Sequence, residues 1–172
     1  MKPFPAQIFN IIFNNMKKTH KDFCETEETK RMAFYHLQCL TPETKPEFVT
    51  VANLIVSMMT YVSKLDDLNE AIPSMCCGIK MLIPTAYEAM EKTCTAVGRK
   101  ASGKWLTNLV AGTMDDAMDI MCGAYPTLQD CAKKVPHVIP RIRASFDPNH
   151  NGTILIPFVR LIKRMDKQLT AV

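Results

Sequence analysis

The chain reads as an all-α protein, an irregular disulfide-stapled bundle of about seven helices. Three observations carry that reading. Along most of the 172 residues, apolar positions recur at spacings of three and four, while alternation over a strand length is scarce. Eleven prolines, together with Ser and Thr at cap positions, cut this pattern into short and medium pieces. Seven cysteines, from Cys24 to Cys131, are spread across those pieces and not gathered in one motif.

The first helix runs from Pro5 to about Lys18, with Ile8, Phe9, Ile12, Phe13 and Met16 on one side. Thr26 to Leu40 follows. Thr26 is a candidate N-cap with Thr29 three residues on, and Glu27 and Glu28 suit the positive end of the helix dipole. Thr41-Pro42 ends it. Pro46 then sits in the first turn of a long apolar helix through Phe48, Val51, Ile55, Met58, Met59 and Val62. An acidic segment, Asp66 to Ala71, leads to Pro73. Ser74 is read as the cap of a helix from Met75 to about Val97, stopped by Gly98 and kinked or split by Pro84. Ser102 opens a helix whose inner face is Leu106, Val110, Met114, Ala117 and Met121. Pro126 starts a turn of helix through Leu128, Cys131 and Val135, interrupted by Pro136 and Pro140. The last helix spans Pro157 to about Leu169.

Apolar residues make up 47% and charged residues 22%, the composition of a chain that folds around a core and is not disordered. No apolar run approaches the ~18 residues of a membrane span. No Pro/Gly/Ser-rich linker divides the sequence, so residues 1–172 form a single helical domain. Residues from about 140 to 172 form a looser C-terminal helical appendage, because no cysteine lies beyond Cys131. The formal net charge of +4 implies no nucleic-acid partner by itself. Its cations are read as solvated helix faces or as a surface for acidic partners or anionic lipid.

Cys24, Cys39, Cys76, Cys77, Cys94, Cys122 and Cys131 lack zinc-site spacing, and no cofactor is expected. They fit three disulfides and one odd thiol in a secreted protein, or reduced buried thiols in a cytoplasmic one. Adjacent Cys76 and Cys77 should reach two different partners, since neighbouring helical side chains point about 100° apart. The rest of the connectivity stays open. The odd cysteine pairs with a second chain as a homodimer, pairs with a cysteine outside this sequence, or stays unpaired. The first eighteen residues do not make a signal peptide: Ile8 to Phe13 is short, contains Asn10 and lacks a cleavage site. A secreted protein would then be a mature form with an added Met, or a shortened sequence.

Few motifs carry chemistry. Asp66-Asp67-x-x-Glu70 and Asp115-Asp116-x-x-Asp119 resemble the aspartate-rich motifs of helical isoprenoid synthases, which hold Mg²⁺ against a diphosphate. Each also fits a solvent-facing stripe. Asp147 to Ile154 resembles the start of an EF-hand loop, with Asp147, Asn149 and Asn151 at ligand positions and Gly152 at the sixth. Position twelve is Phe158, so the closing carboxylate is missing, and an Asx turn fits as well. Asn151-Gly152-Thr153 is a glycosylation sequon, making Asn151 a candidate modification site. No nucleophile motif, phosphate loop or zinc-protease motif occurs, and no catalytic residue is assigned. Among twelve methionines, Met58, Met81, Met114, Met118 and Met121 are candidates to line a cavity for an apolar small molecule, or are plain core packing.

The words Cys24…His36-Leu37-Gln38-Cys39-Leu40-Thr41-Pro42-Glu43, Met75-Cys76-Cys77-Gly78 and Leu128-Gln129-Asp130-Cys131 resemble arthropod secreted cysteine-rich helical proteins of the hemolymph-glycoprotein type, over about residues 24–135. That resemblance implies a secreted, all-α, disulfide-bonded, non-enzymatic protein. The expectation is therefore an extracellular structural or interaction protein. The alternatives are an extracellular carrier of an apolar molecule or lipid and, behind it, a weak Ca²⁺- or Mg²⁺-binding protein.

Overall fold

The computed structural model describes residues 4–150 and 152–170, and among them it is all helix and turn. Eight helices follow one another: α1 Phe4–Cys24, α2 Glu27–Leu37, α3 Lys45–Val62, α4 Leu68–Ala96, α5 Ser102–Cys122, α6 Leu128–Lys134, α7 Val138–Ser145 and α8 Leu155–Thr170. α4 is the centre. It packs on α5 and α3, and also on α7 and α6. α5 carries α1 and α2 on its other flank, α3 carries α7 and α8, and α1 touches α8.

The main core lies where α3, α4, α5 and α7 meet. Met58 and Val62 of α3, Cys76 and Cys77 of α4, and Val138 and Ile142 of α7 are all essentially sealed from solvent there. Met118 and Cys122 of α5, Cys131 of α6 and Leu161 of α8 complete it. A smaller core of Cys39, Cys94 and Leu106, flanked by Phe48 and Trp105, sits at the far end of α4.

Local chemistry sets the helix starts. The Thr26 hydroxyl accepts the Thr29 amide at 3.1 Å, and the Thr29 hydroxyl accepts the Thr26 amide, a reciprocal capping box. Asp67 caps α4 through the Asn69 amide at 2.8 Å, and Thr127 caps α6 through the Asp130 amide at 3.1 Å.

Several boundaries differ from the sequence expectation. α1 continues to Cys24, because Phe23 resumes its apolar contacts after the polar stretch 17–22. α4 begins seven residues before Met75 and holds both Pro73 and Pro84. Ser74 is not a cap; it is buried inside α4, between Pro73 and Met75. Burial of Ala71 and of Pro73 through Gly78 outweighs the local cost of Pro73. Pro84 is exposed, on a side where an unpaired carbonyl can be hydrated, so the helix runs through it. Pro140 is the third residue of α7, where its missing N–H costs nothing. On α5, Val110 is 60% exposed, while Gly103 and Thr107 take inner positions.

Gly103 explains how closely α4 and α5 approach. A Cβ there would overlap the backbone of Met90 and Glu91, which cannot rotate away. Gly112, on the same helix, has open space around it. Gly103→Ala should therefore lower stability by about 2 kcal/mol or more, and Gly112→Ala should raise it by about 0.5–1 kcal/mol. Thermal melts of the two variants side by side check this; equal shifts would refute the close crossing. The buried Ser74 hydroxyl has no hydrogen-bond partner, so Ser74→Ala should be neutral or stabilising in the same assay.

Candidate functional site

Six cysteines form three disulfides between elements of the bundle: Cys39, in the turn that ends α2, with Cys94, and Cys76–Cys122 and Cys77–Cys131 from helix to helix, with Cα separations of 5.2, 5.5 and 5.9 Å. Cys76 and Cys77 do reach different partners. All six are buried. The seventh, Cys24, is exposed at the last residue of α1, with its Sγ 3.8 Å from His20 Nε2 one turn back.

The corner that bears Cys24 is built from the inside outward. At its base α5 begins at Ser102, preceded by Ala101 in the left-handed region at φ 63°. Ala101 has no side-chain oxygen to cap with, so the first amides of α5 are met from α4. Glu91 Oε1 accepts the Ala101 amide at 2.7 Å, and Oε2 accepts the Lys104 amide at 3.0 Å. Burial pushes the Glu91 carboxyl up, but the amides of Lys104, Ala101 and Gly103 and the Thr95 hydroxyl outweigh it and hold the group below its ordinary value.

Ser102, fully buried, meets His36 Nδ1 at 2.9 Å. Burial lowers the His36 imidazole below its ordinary value, and the Glu91 carboxylate opposes that only in part. The His36 ring stacks on Trp105 at 4.8 Å and 21°, and Trp105 meets Phe23 at 5.0 Å. The residue after Phe23 is Cys24. A continuous column, Ser102–His36–Trp105–Phe23, thus ties the thiol-bearing end of α1 to the stapled body. The capping box that starts α2 fixes the chain just beyond.

Beside this column lies an open cleft of about 410 Å³ between α1 and α5. Phe23 and Trp105 line it together with Asp22, Lys18, Asp115 and Asp116. The other acidic motif lies at the start of α4 and is occupied with structure. Asp67 is the N-cap, Asp66 pairs with Arg164 at 3.5 Å, and Glu70 pairs with Arg141. Among the described residues, no group of three or more His, Cys, Asp or Glu side chains is gathered to hold a metal.

Asp147 Oδ1 accepts the Asn149 amide at 2.9 Å, an Asx turn. The turn is docked on α3: the Asp147 amide donates to Ser57 Oγ, and Asn53 Nδ2 donates to the Pro148 carbonyl. Asn151, the third oxygen of the loop and the sequon residue, lies outside the described residues. Met58 and Met118 are buried in the main core, and Met81, Met114 and Met121 pack partly buried against it. Flexible thioethers fill the irregular space around the two disulfides at 76 and 77. Among the described residues, no methionine lines the α1–α5 cleft.

Comparison with protein-family models, curated proteins and solved structures returns no match. Among the described residues, no helix is long and apolar enough to cross a membrane.

Sequence reasoning missed Glu91. Its partners lie ten and thirteen residues away on another helix, and no local cap signal points to it. Its consequence is measurable. Both His36 and Glu91 bind protons more weakly in the fold than in the unfolded chain. Stability is thus present above their ordinary values of 6.5 and 4.5 and is lost as pH falls through each range. Glu91→Gln should cost about 1 kcal/mol at neutral pH and flatten the acid limb in the carboxylate range. Melting midpoints measured across pH check it; an unchanged acid slope would remove Glu91 from this role.

Proposed function

We propose that this chain is an extracellular, non-enzymatic interaction protein that joins a second copy of itself through Cys24. The observation that carries the reading is the division of the cysteines, six buried in three bridges within the bundle and one exposed at a helix end. Such a set of bridges fits an oxidising compartment, where an exposed thiol finds a partner. The column of Phe23, Trp105 and His36 supports the reading, because it holds the thiol-bearing end against a rigid body. Local charge opposes a second copy little: Lys17, Lys18, Lys21, Lys30 and Arg31 stand against Asp22, Glu25, Glu27 and Glu28, a net of one positive charge. The hemolymph-glycoprotein-like reading belongs to this proposal, supported by the spacing of Cys24, Cys39, Cys76, Cys77 and Cys131.

The test is the mass of protein from its native source with and without reductant. The expected result is a doubled non-reduced mass that halves on reduction. Alkylation should find no accessible thiol before reduction. Cys24→Ser, produced in the same way, should be monomeric with an unchanged melting midpoint. Monomeric wild-type protein carrying one alkylated Cys24 would refute the covalent pair. Seven alkylated thiols without reduction would refute the extracellular reading as well.

A further inference from the structure

The charge of this chain is not evenly spread. From α7 onward there are six cations, Arg141, Arg143, Arg160, Lys163, Arg164 and Lys167, against Asp147 and Asp166. The residues before Val138 hold fifteen cations and fifteen carboxylates. By sequence the formal net charge of +4 therefore falls in the last two helices and the turn between them. Arg141 and Arg164 are paired with Glu70 and Asp66, which leaves Arg160 and Lys163 as the cations of the outer face.

Among its described side chains, between Ile156 and Arg164, α8 sorts residues by face. Leu161 and Pro157 are buried and Phe158 is half-buried, all toward the body. Arg164 is committed to the α3–α4 turn, where it meets the Leu65 carbonyl and Asp66. The opposite face carries Ile156, Val159, Arg160 and Lys163 at spacings of three, four and seven, so they share one side of the helix. Ile156 is 54% and Val159 47% exposed, and Arg160 and Lys163 are exposed beside them. Ile154, just ahead of the helix, is 43% exposed.

We infer that this outer face of α8 docks on anionic phospholipid surfaces. Ile156 and Val159 enter the boundary between headgroups and acyl chains, while Arg160 and Lys163 reach the lipid phosphates. The interleaving of aliphatic and cationic residues selects this partner. A nucleic acid would reward the cations and leave the aliphatic side chains without a role. A protein groove would desolvate Arg160 and Lys163 together with their neighbours. A membrane interface satisfies both, because long cationic side chains extend to the headgroups while short aliphatic ones sink below them.

The test uses the full chain carrying Cys24→Ser, so that its outcome is independent of the covalent pair. Flotation with phosphatidylcholine vesicles is compared with flotation on vesicles that also contain phosphatidylserine. Binding is expected on the anionic vesicles, weak on the neutral ones, and reduced by added salt. Each cation near such a surface is worth about a fivefold factor, so Arg160→Gln with Lys163→Gln should weaken binding roughly thirtyfold. Ile156→Ser with Val159→Ser should also weaken it while leaving the salt dependence in place. All four positions face outward, so circular dichroism and the melting midpoint should not move. Equal binding to both vesicle types, no binding to the anionic vesicles, or an unaffected cation variant would each overturn the inference. So would binding to polyglutamate without binding to vesicles, which would identify an acidic protein partner.

Discussion

Every disulfide in this protein has one sulfur on α4. Cys76 reaches the end of α5, Cys77 reaches α6, and Cys94 reaches the segment after α2. The bridges close chain separations of 46 to 55 residues. In the chain-entropy picture each such loop removes about 4 kcal/mol worth of freedom from the unfolded chain. Linking the N-terminal third and the last turn of one 29-residue helix to three other parts of the chain makes that helix the reference for everything else. It also accounts for the composition of the core. Sulfur bridges are rigid, and the methionines around them are the side chains that adapt most readily to irregular gaps.

The α4–α5 crossing carries that constraint outward. The absence of a Cβ at Gly103 brings the α5 start against the α4 backbone, and only at that distance can Glu91 take the first amides of α5. The carboxylate thereby fixes where Ser102 and Trp105 point. His36 then brings α2 onto Ser102, and Phe23 brings α1 onto Trp105. The position of the Cys24 thiol is thus inherited from α4 through one glycine, one carboxylate and a stack of rings. α1 needs no bridge of its own to be held.

Much of this architecture was legible in the sequence. Apolar spacing located the helices, Thr26 with Thr29 located a start, and adjacency alone sent Cys76 and Cys77 to different partners. What could not be read was non-local. Pro73 and Ser74 look like a boundary by propensity, yet burial keeps them helical. Ser102 does open α5, but the oxygens that meet the amides at its start come from Glu91, on another helix. The unpaired cysteine could not be chosen from spacing, because the choice depends on which thiols the folded helices bring within bridging distance. The Asx turn at Asp147 was readable from its own residues, but its docking on Ser57 and Asn53 was not.

The disulfide framework also bears on how the outer helices are interpreted. α1 and α8 lie at the two ends of the chain, touch each other, and take no part in a bridge. Side chains on their outer faces change stability little, usually within about 0.5 kcal/mol. Folding therefore asks almost nothing of the identity of Ile156 or Val159. Helix propensity favours other residues there, since β-branched side chains lose rotamer freedom in a helix and Lys or Glu would serve better. Single exposed aliphatic residues are ordinary on protein surfaces. Two of them interleaved with two cations, on the helix-turn segment that holds all of the excess positive charge, form a pattern that neither core packing nor helix formation requires. Exposed aliphatic side chains also occur on α5, at Val110 and Ile120. What sets the α8 face apart is the pair of cations beside its aliphatic residues, and the proposed contact with anionic lipid gives that combination a physical reason.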